Sequence, residues 1–157
     1  MALVQSGAYS FIDVTATMDG PGGKFDISGS GVSEEAIRVS MTNDKNTMVI
    51  GARGDGMHSL RVSTAARITI SLLKTANGNA QMNALYRYQS VPGAAFWGQN
   101  TLTIINAISG DAIIATAGAF VRQTDVVYAV EGGLNSWVFD FTATELILGN
   151  NYRAKGL

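Results

Sequence analysis

The sequence predicts a mainly β fold, a sandwich or barrel of two antiparallel sheets with one flanking α-helix at about residues 79–89. Three observations predict it. Apolar residues recur at every second position in several short runs, glycine-rich turns separate those runs, and one segment has apolar residues at three- and four-residue steps instead. At 157 residues the chain has the usual length of one domain, so we expect a single core over residues 1–157.

The alternating runs are predicted strands with one buried face, because successive side chains of a strand point to opposite sides. Residues 67–72, RITISL, and residues 137–141, WVFDF, show the alternation most clearly. Residues 10–16, SFIDVTA, and 36–41, AIRVSM, show it more weakly. Each of these four runs is expected to bury the apolar half of its side chains.

Turn residues separate the predicted strands at short intervals, at 19–23, 28–31, 109–111 and 131–133. Each turn contains glycine, which supplies the positive φ that tight hairpins need. The third turn predicts a hairpin of residues 101–108 with 111–116. The fourth predicts a hairpin of residues 121–130 with 136–148.

The predicted helix over residues 79–89 is the segment that departs from strand periodicity. Asn79 is expected to cap its N-terminus, because asparagine is a favoured N-cap residue. Met82, Leu85, Tyr86 and Gln89 then share one face. Residues 91–93, VPG, are expected to end the helix.

Charge and composition exclude several classes of function. Charged residues make up 15% of the chain and the formal net charge is -1, so there is no basic excess for tight binding to a phosphate backbone. The chain has no cysteine, which excludes disulfides and thiolate metal sites. We expect a protein made in a cytoplasm, because neither a signal peptide nor a long apolar run is visible. We also expect no cofactor.

Catalytic motifs are weak. A serine hydrolase would have to use the single histidine, His58, with Ser59 or Ser63, and neither serine lies in a GxSxG motif. One histidine and no cysteine also leave only carboxylates as metal ligands. The sequence therefore predicts that the protein is not an enzyme and holds no metal; an esterase that depends on His58 stays as a distant alternative.

The most unusual stretch is residues 43–60, NDKNTMVIGARGDGMHSL. Its glycines do not form a phosphate-binding loop, because no Lys-Ser/Thr pair follows and the next run is strand-like. A long glycine-rich connection in a compact domain usually has a function. We predict an extended hairpin or loop that contacts a neighbouring subunit through polar bonds of Asn43, Asp44, Lys45, Asn46, Arg53, Asp55 and His58.

Several blocks of this sequence resemble a family of bacteriophage structural proteins, the tail tube proteins of contractile-tailed phages. The motifs are NDKNTM, DGMHS, and LLKT followed by N-x-Q-x-x-x-L-Y, within a similarity that extends from Tyr9 to Gly149. Residues 150–157 have no counterpart, and the role of this C-terminal tail stays open.

The resemblance implies a tail-tube-like fold whose copies close into six-membered rings, and rings that stack into a hollow tube for viral DNA. It implies sheath, baseplate and tail-terminator proteins as partners, passage of DNA and a tape measure protein through the lumen, and a place in the virion tail after assembly in the host cytoplasm. It implies no role for a membrane. A lumen that passes DNA should not attract phosphate, so we predict that Asp13, Asp26 and Asp140 face it.

Two other functions fit the sequence. The chain could be a receptor- or glycan-binding β-sandwich that uses Trp97, Trp137 and Tyr128 as an aromatic platform, although core packing of these rings is the more ordinary interpretation. It could also be the tube subunit of a phage-like bacteriocin or secretion device, for which the same subunit would serve.

Overall fold

A computed structural model describes residues 7–27 and 32–149, without the side chains of residues 32–36. It contains nine β-strands, one α-helix and a short 3-10 helix, Phe11–Asp13, in this described part of the chain. The helix, α1, spans Asn77–Gln89. The strands are β1 Val14–Gly20, β2 Gly23–Asp26, β3 Val32–Met41, β4 Asn46–Ile50, β5 Gly56–Leu60, β6 Ala66–Leu73, β7 Asn100–Asn106, β8 Asp111–Phe120 and β9 Leu134–Ile147.

The strands form two antiparallel sheets of very different size. Seven strands pair in the order β2-β1-β7-β8-β9-β6-β3, and β4 pairs with β5 in a separate hairpin. The mainly β class with one helix is confirmed. The core is enclosed by the seven-stranded sheet and α1, and the small β4-β5 sheet adds nothing to it, so the architecture is closer to an open barrel than to two facing sheets.

The large sheet curls so that its ends approach each other. A cleft of about 160 Å³ is lined by Val14 of β1, Ile37 and Val39 of β3, and Ile104 and Ile113 of β7 and β8. Strands from both ends of the sheet can line one cleft only if the sheet bends around it, as twisted antiparallel sheets do. The face turned away from the core is called the outer face below.

Aromatic residues of β8 and β9 form the centre of the core. Trp137, Phe139 and Phe141 are at most 1% exposed, as their alternation predicts. The ring of Phe120 lies 4.4 Å from that of Phe139 and makes an edge contact at 5.4 Å with Tyr86 of α1. These contacts attach the helix to the inner face of the sheet.

The helix lies where the sequence places it, but its start is different. It begins at Asn77, and Asn79 is not its cap. The Asn79 amide instead donates to the Leu73 carbonyl at 2.8 Å and accepts from Trp137 Nε1 at 3.0 Å. Trp137 is buried and its N–H needs a partner, so Asn79 joins the helix to β6 and β9.

Two further predicted strands differ from the structure. Residues 11–13 form the 3-10 helix, which leaves Ile12 exposed, and β1 begins only at Val14. Residues 121–133 are irregular, so the predicted strand over 121–130 is absent even though its partner β9 is present. The predicted turn at 28–31 and the tail at 150–157 lie outside the described residues.

A buried pair of amides joins the C-terminal end of α1 to the sheet. Gln89 and Asn100 are fully buried and exchange two hydrogen bonds of 2.7 Å. Gln89 also donates to the Pro21 carbonyl at 3.0 Å, and Asn100 to the Gly118 carbonyl at 3.1 Å. The four N–H hydrogens and the two oxygens of these side-chain amides therefore all have hydrogen-bond partners.

Replacing Asn100 with alanine should lower the free energy of unfolding by about 2 kcal/mol, because the buried Gln89 amide loses its partner. For a domain of this size that corresponds to a melting temperature lower by about 6 °C. Thermal unfolding of unassembled subunits measures the change. The control is Gln81→Ala, at an exposed position of the same helix; equal melting temperatures for the two variants would contradict the network's role.

Among the described helices, none is long and apolar enough to cross a membrane.

Candidate assembly surfaces

The β4-β5 hairpin is the most exposed part of the described chain. Every residue from 41 to 63 is exposed, and all ten residues of the two strands are included. Its strands pair in register from Asn46 opposite Leu60 to Ile50 opposite Gly56. The turn between them is closed by the Gly51 amide, which donates to the Asp55 carbonyl at 2.7 Å, and Gly54 has a φ of +89° that favours glycine.

Both faces of this hairpin are apolar. Met48 and Ile50 lie on one face, and Val49 lies opposite Met57 on the other. These side chains are 54–60% exposed. A free two-stranded hairpin has little stability of its own, and adjacent exposed apolar residues mark interaction surfaces. The hairpin therefore has the character of a segment that is covered from both sides.

Polar side chains hold the base of the hairpin. Lys45 Nζ donates to the Ser63 carbonyl at 3.2 Å, and Asn43 Nδ2 donates to Ser63 Oγ at 3.2 Å. The side chains of Asn46 and His58 are joined at 3.0 Å. These predicted contact residues thus make bonds within the subunit, and the bonds fix the direction in which the hairpin leaves the sheet.

The other predicted contact residues, Asp44, Arg53 and Asp55, are exposed and their side chains make no hydrogen bond or ion pair with the described residues. Arg53 and Asp55 lie in the turn at the tip. The sequence interpretation missed the apolar residues, Met48, Val49, Ile50, Met57, Leu60 and Val62. The run of three apolar residues from Met48 to Ile50 could have revealed the first three, because apolar residues at consecutive strand positions require burial of both faces.

The outer face of β6 and β9 carries small polar residues and an ion pair, together with the apolar side chains of Leu73, Leu134 and Val138. Thr69 lies opposite Val138, and Ser71 opposite Ser136 with their hydroxyl oxygens 3.3 Å apart. Arg67 and Asp140 form an exposed ion pair, with Arg67 Nε donating to the carboxylate at 2.8 Å. The hydrogen bond and the charge of Asp140 raise the pKa of Arg67 above its ordinary value.

The three predicted lumen carboxylates are not brought together. Asp13 lies in the 3-10 helix, Asp26 on the edge strand β2, and Asp140 on β9. Asp26 and Asp140 both lie on the outer face, but three strands lie between β2 and β9. At the usual strand spacing the two strands are about 19 Å apart. Asp140 carries its own counter-ion, Arg67.

The enzymatic and aromatic-platform interpretations gain nothing from the geometry. His58 and Ser59 are consecutive strand residues, so they point to opposite faces of the hairpin. The described residues include no cluster of three or more His, Cys, Asp or Glu side chains that could hold a metal ion. Trp137 is buried in the core, and Trp97 packs edge-on against Tyr86 at 6.2 Å.

Three solved structures show the same fold. The tail of an empty GTA particle with C6 symmetry has a TM-score of 0.57 and 16% identity, covering 90% of this chain and 98% of that chain. The anti-feeding prophage cap, a tube-terminating cap, has a TM-score of 0.55 and 10% identity, covering 95% and 96%. The six-fold symmetrised anti-feeding prophage baseplate has a TM-score of 0.52 and 11% identity, covering 92% and 97%. The chain therefore shares its fold with these tail, cap and baseplate proteins.

A family model described as Bacteriophage PhiTE tail tube protein matches residues 6–149. The chain belongs to this family of phage tail tube proteins, and the resemblance seen in its sequence is confirmed. No curated protein sequence is significantly similar to the chain.

Proposed function

We propose that six copies of this subunit close into a ring, and that the rings stack into a hollow tube which conducts viral DNA into the host cell. The observation that carries the proposal is the β4-β5 hairpin, apolar on both faces and exposed throughout. Such a surface has a physical reason only where neighbouring subunits cover it. Repeated head-to-tail contacts that close around an axis give a ring without two-fold symmetry.

The hairpin is the tether between subunits. Its base is held by Asn43 and Lys45, so it projects in a fixed direction, and its apolar strands supply the buried area of the contact. Asp44, Arg53 and Asp55 supply polar bonds to the neighbour, which contribute more to register than to affinity. The Asn46–His58 bond keeps the two strands in line.

The outer face of β6 and β9 lines the lumen. Its serine and threonine side chains are polar groups that do not attract phosphate, and the Arg67–Asp140 pair cancels its own charge. Asp26 and Asp13 add negative charge near the other end of the sheet. A wall of this kind does not retain DNA through the electrostatic attraction on which DNA-binding proteins depend.

A helical reconstruction of the assembled tube tests the lumen assignment. The expected map shows six subunits in each ring, with Asp140 and Ser136 at the channel wall. Replacing Asp140 with asparagine should leave Arg67 unneutralised there, and DNA should then bind the tube in low salt and be released as salt rises. A channel lined by lysine and arginine in the parent tube would contradict the assignment.

The role is mechanical, with no catalytic step. Its partners are further copies of the chain, the sheath, baseplate and tail-terminator proteins, and the DNA and tape measure protein that pass through the lumen. The subunit is assembled in the host cytoplasm and ends in the tail of the virion.

A second candidate function is the tube of a phage-like bacteriocin or secretion device. The likeness to the anti-feeding prophage cap and baseplate favours it, because those two proteins share the fold of this chain. The genes beside the coding sequence distinguish the two. Neighbouring capsid and terminase genes indicate a phage, and tail genes without capsid genes indicate the device.

A further inference from the structure

Residues 125–130, DVVYAV, have the composition of a strand but do not pair as one. Valine and tyrosine are among the residues that favour strands. In this structure, however, residues 122–132 take part in no backbone-to-backbone hydrogen bond with the described chain. Val127, Tyr128 and Val130 are 67%, 87% and 106% exposed. A segment with unpaired backbone groups and exposed apolar side chains has the properties of a strand whose partner lies on another chain.

Contacts at its two ends and near its middle hold this segment in place. The Val121 amide donates to the Val138 carbonyl at 2.9 Å, and the Lys74 amide donates to the Gly133 carbonyl at 3.2 Å. The Lys74 ammonium contacts the Val127 carbonyl and lies 3.9 Å from the centre of the Tyr128 ring. The segment is therefore presented at a defined place beside the ends of β6 and β9.

A complementary edge exists on the same molecule. The large sheet ends in β2 on one side and in β3 on the other, and among the described strands each has a single neighbour. Of the two, β3 is the longer, at ten residues against four. An edge strand of this length can pair with another chain, and proteins that leave such an edge open usually use it or cover it.

We infer that residues 125–130 of one copy add as a strand to the β3 edge of a second copy, an inference that rests on the proposed ring. Own-chain pairing is disfavoured, because β9 and β6 lie between the segment's attachment at Val138 and β3. Each subunit then gives one strand and receives one, which is the head-to-tail contact that closes a ring.

Disulfide cross-linking tests this pairing, since the chain has no cysteine of its own. Val127→Cys is combined with Ser40→Cys on β3, and separately with Arg38→Cys. The comparison variant combines Val127→Cys with Lys24→Cys on β2. Full-length protein is assembled, oxidised and run on a non-reducing gel, with microscopy of the same samples.

Either variant with a cysteine on β3 should give a ladder of covalent oligomers up to the closed ring. The total intensity of these bands should be at least about tenfold higher than for the variant with a cysteine on β2. Each single variant can reach only dimers, because it carries one thiol. Rings or tubes without a ladder, an equal ladder from the β2 pair, or a disulfide within one subunit would overturn the inference and leave the proposed function standing. Absence of rings and tubes from the parent protein would remove both.

Hydrogen exchange on the parent tube provides a measurement that needs no substitution. Backbone amides of residues 126–130 and of β3 should exchange at least about tenfold more slowly in tubes than in dissociated subunits. Fast exchange of residues 126–130 in intact tubes would overturn the pairing, even if the cysteine variants did not assemble. In that case the segment would face the outside of the tube.

Discussion

Deletion of residues 53–56 is expected to raise the concentration needed for tube formation by at least about tenfold, a loss of about 1.4 kcal/mol for each subunit added. The deletion removes the tip of the β4-β5 hairpin with its two exposed charges, Arg53 and Asp55. Val49 and Met57 remain joined by three residues, a common hairpin length, so the subunit should stay folded. Sedimentation of tubes over a concentration series measures the effect.

A matched variant separates the effect of hairpin length from the effect of the charged side chains at its tip. Replacing Arg53 and Asp55 with serine keeps the hairpin length and removes only the polar bonds, so it should weaken assembly less than the deletion does. Circular dichroism and thermal unfolding should be unchanged in both variants, because every residue of the hairpin is exposed. Tubes of the deletion variant that form at the parent's concentration would refute the tether.

Gly118→Ala is expected to lower the free energy of unfolding by about 3 kcal/mol, near the upper end of the range for overpacked cores. A Cβ at this position would lie 2.2 Å from an atom of the Phe141 ring, which is itself 1% exposed. The ring cannot withdraw, because Phe139 and the neighbouring strands surround it. Denaturant unfolding of dissociated subunits measures the loss.

Gly132→Ala is the control for this substitution. Nothing lies within 4 Å of a Cβ at Gly132, which is in the irregular segment before β9. The same chemical change should therefore leave the free energy of unfolding within about 0.5 kcal/mol of the parent, as exposed substitutions usually do. If the two alanine variants lost equal stability, close packing of Gly118 against Phe141 would not be the cause.

Local periodicity was sufficient to predict the core strands and the helix. The alternation in residues 67–72 and 137–141 places the same side chains inward that the structure buries, because each strand has one face on the core. The hairpin of β7 and β8 follows equally from its glycine turn. Met82, Leu85 and Gln89 are buried on α1, as their spacing predicts.

Long-range contacts decide the features that local patterns miss. Asn79 has the composition of a cap, yet Trp137, 58 residues further along the chain, takes its side-chain oxygen. Residues 121–130 have strand composition, but β9 pairs with β6 and β8 and the segment finds no strand neighbour within the described chain. Composition indicates which structure a segment favours, and the contacts available in the folded chain determine which structure it adopts.

The assembly surfaces were only half visible in the sequence. The glycine-rich stretch indicated the hairpin, and its charged residues drew the prediction toward polar bonds. The apolar residues on its two faces become recognisable only with the register, which places Val49 and Met57 on one face and Met48 and Ile50 on the other. The role of each in contacts between subunits stays a prediction.

Negative-stain microscopy of the purified protein tests the central claim most directly. Assembly into a tube predicts rings, or stacks of rings, with a stain-filled hole along the axis and six-fold symmetry in end views. Stable compact monomers that persist at high concentration would contradict it.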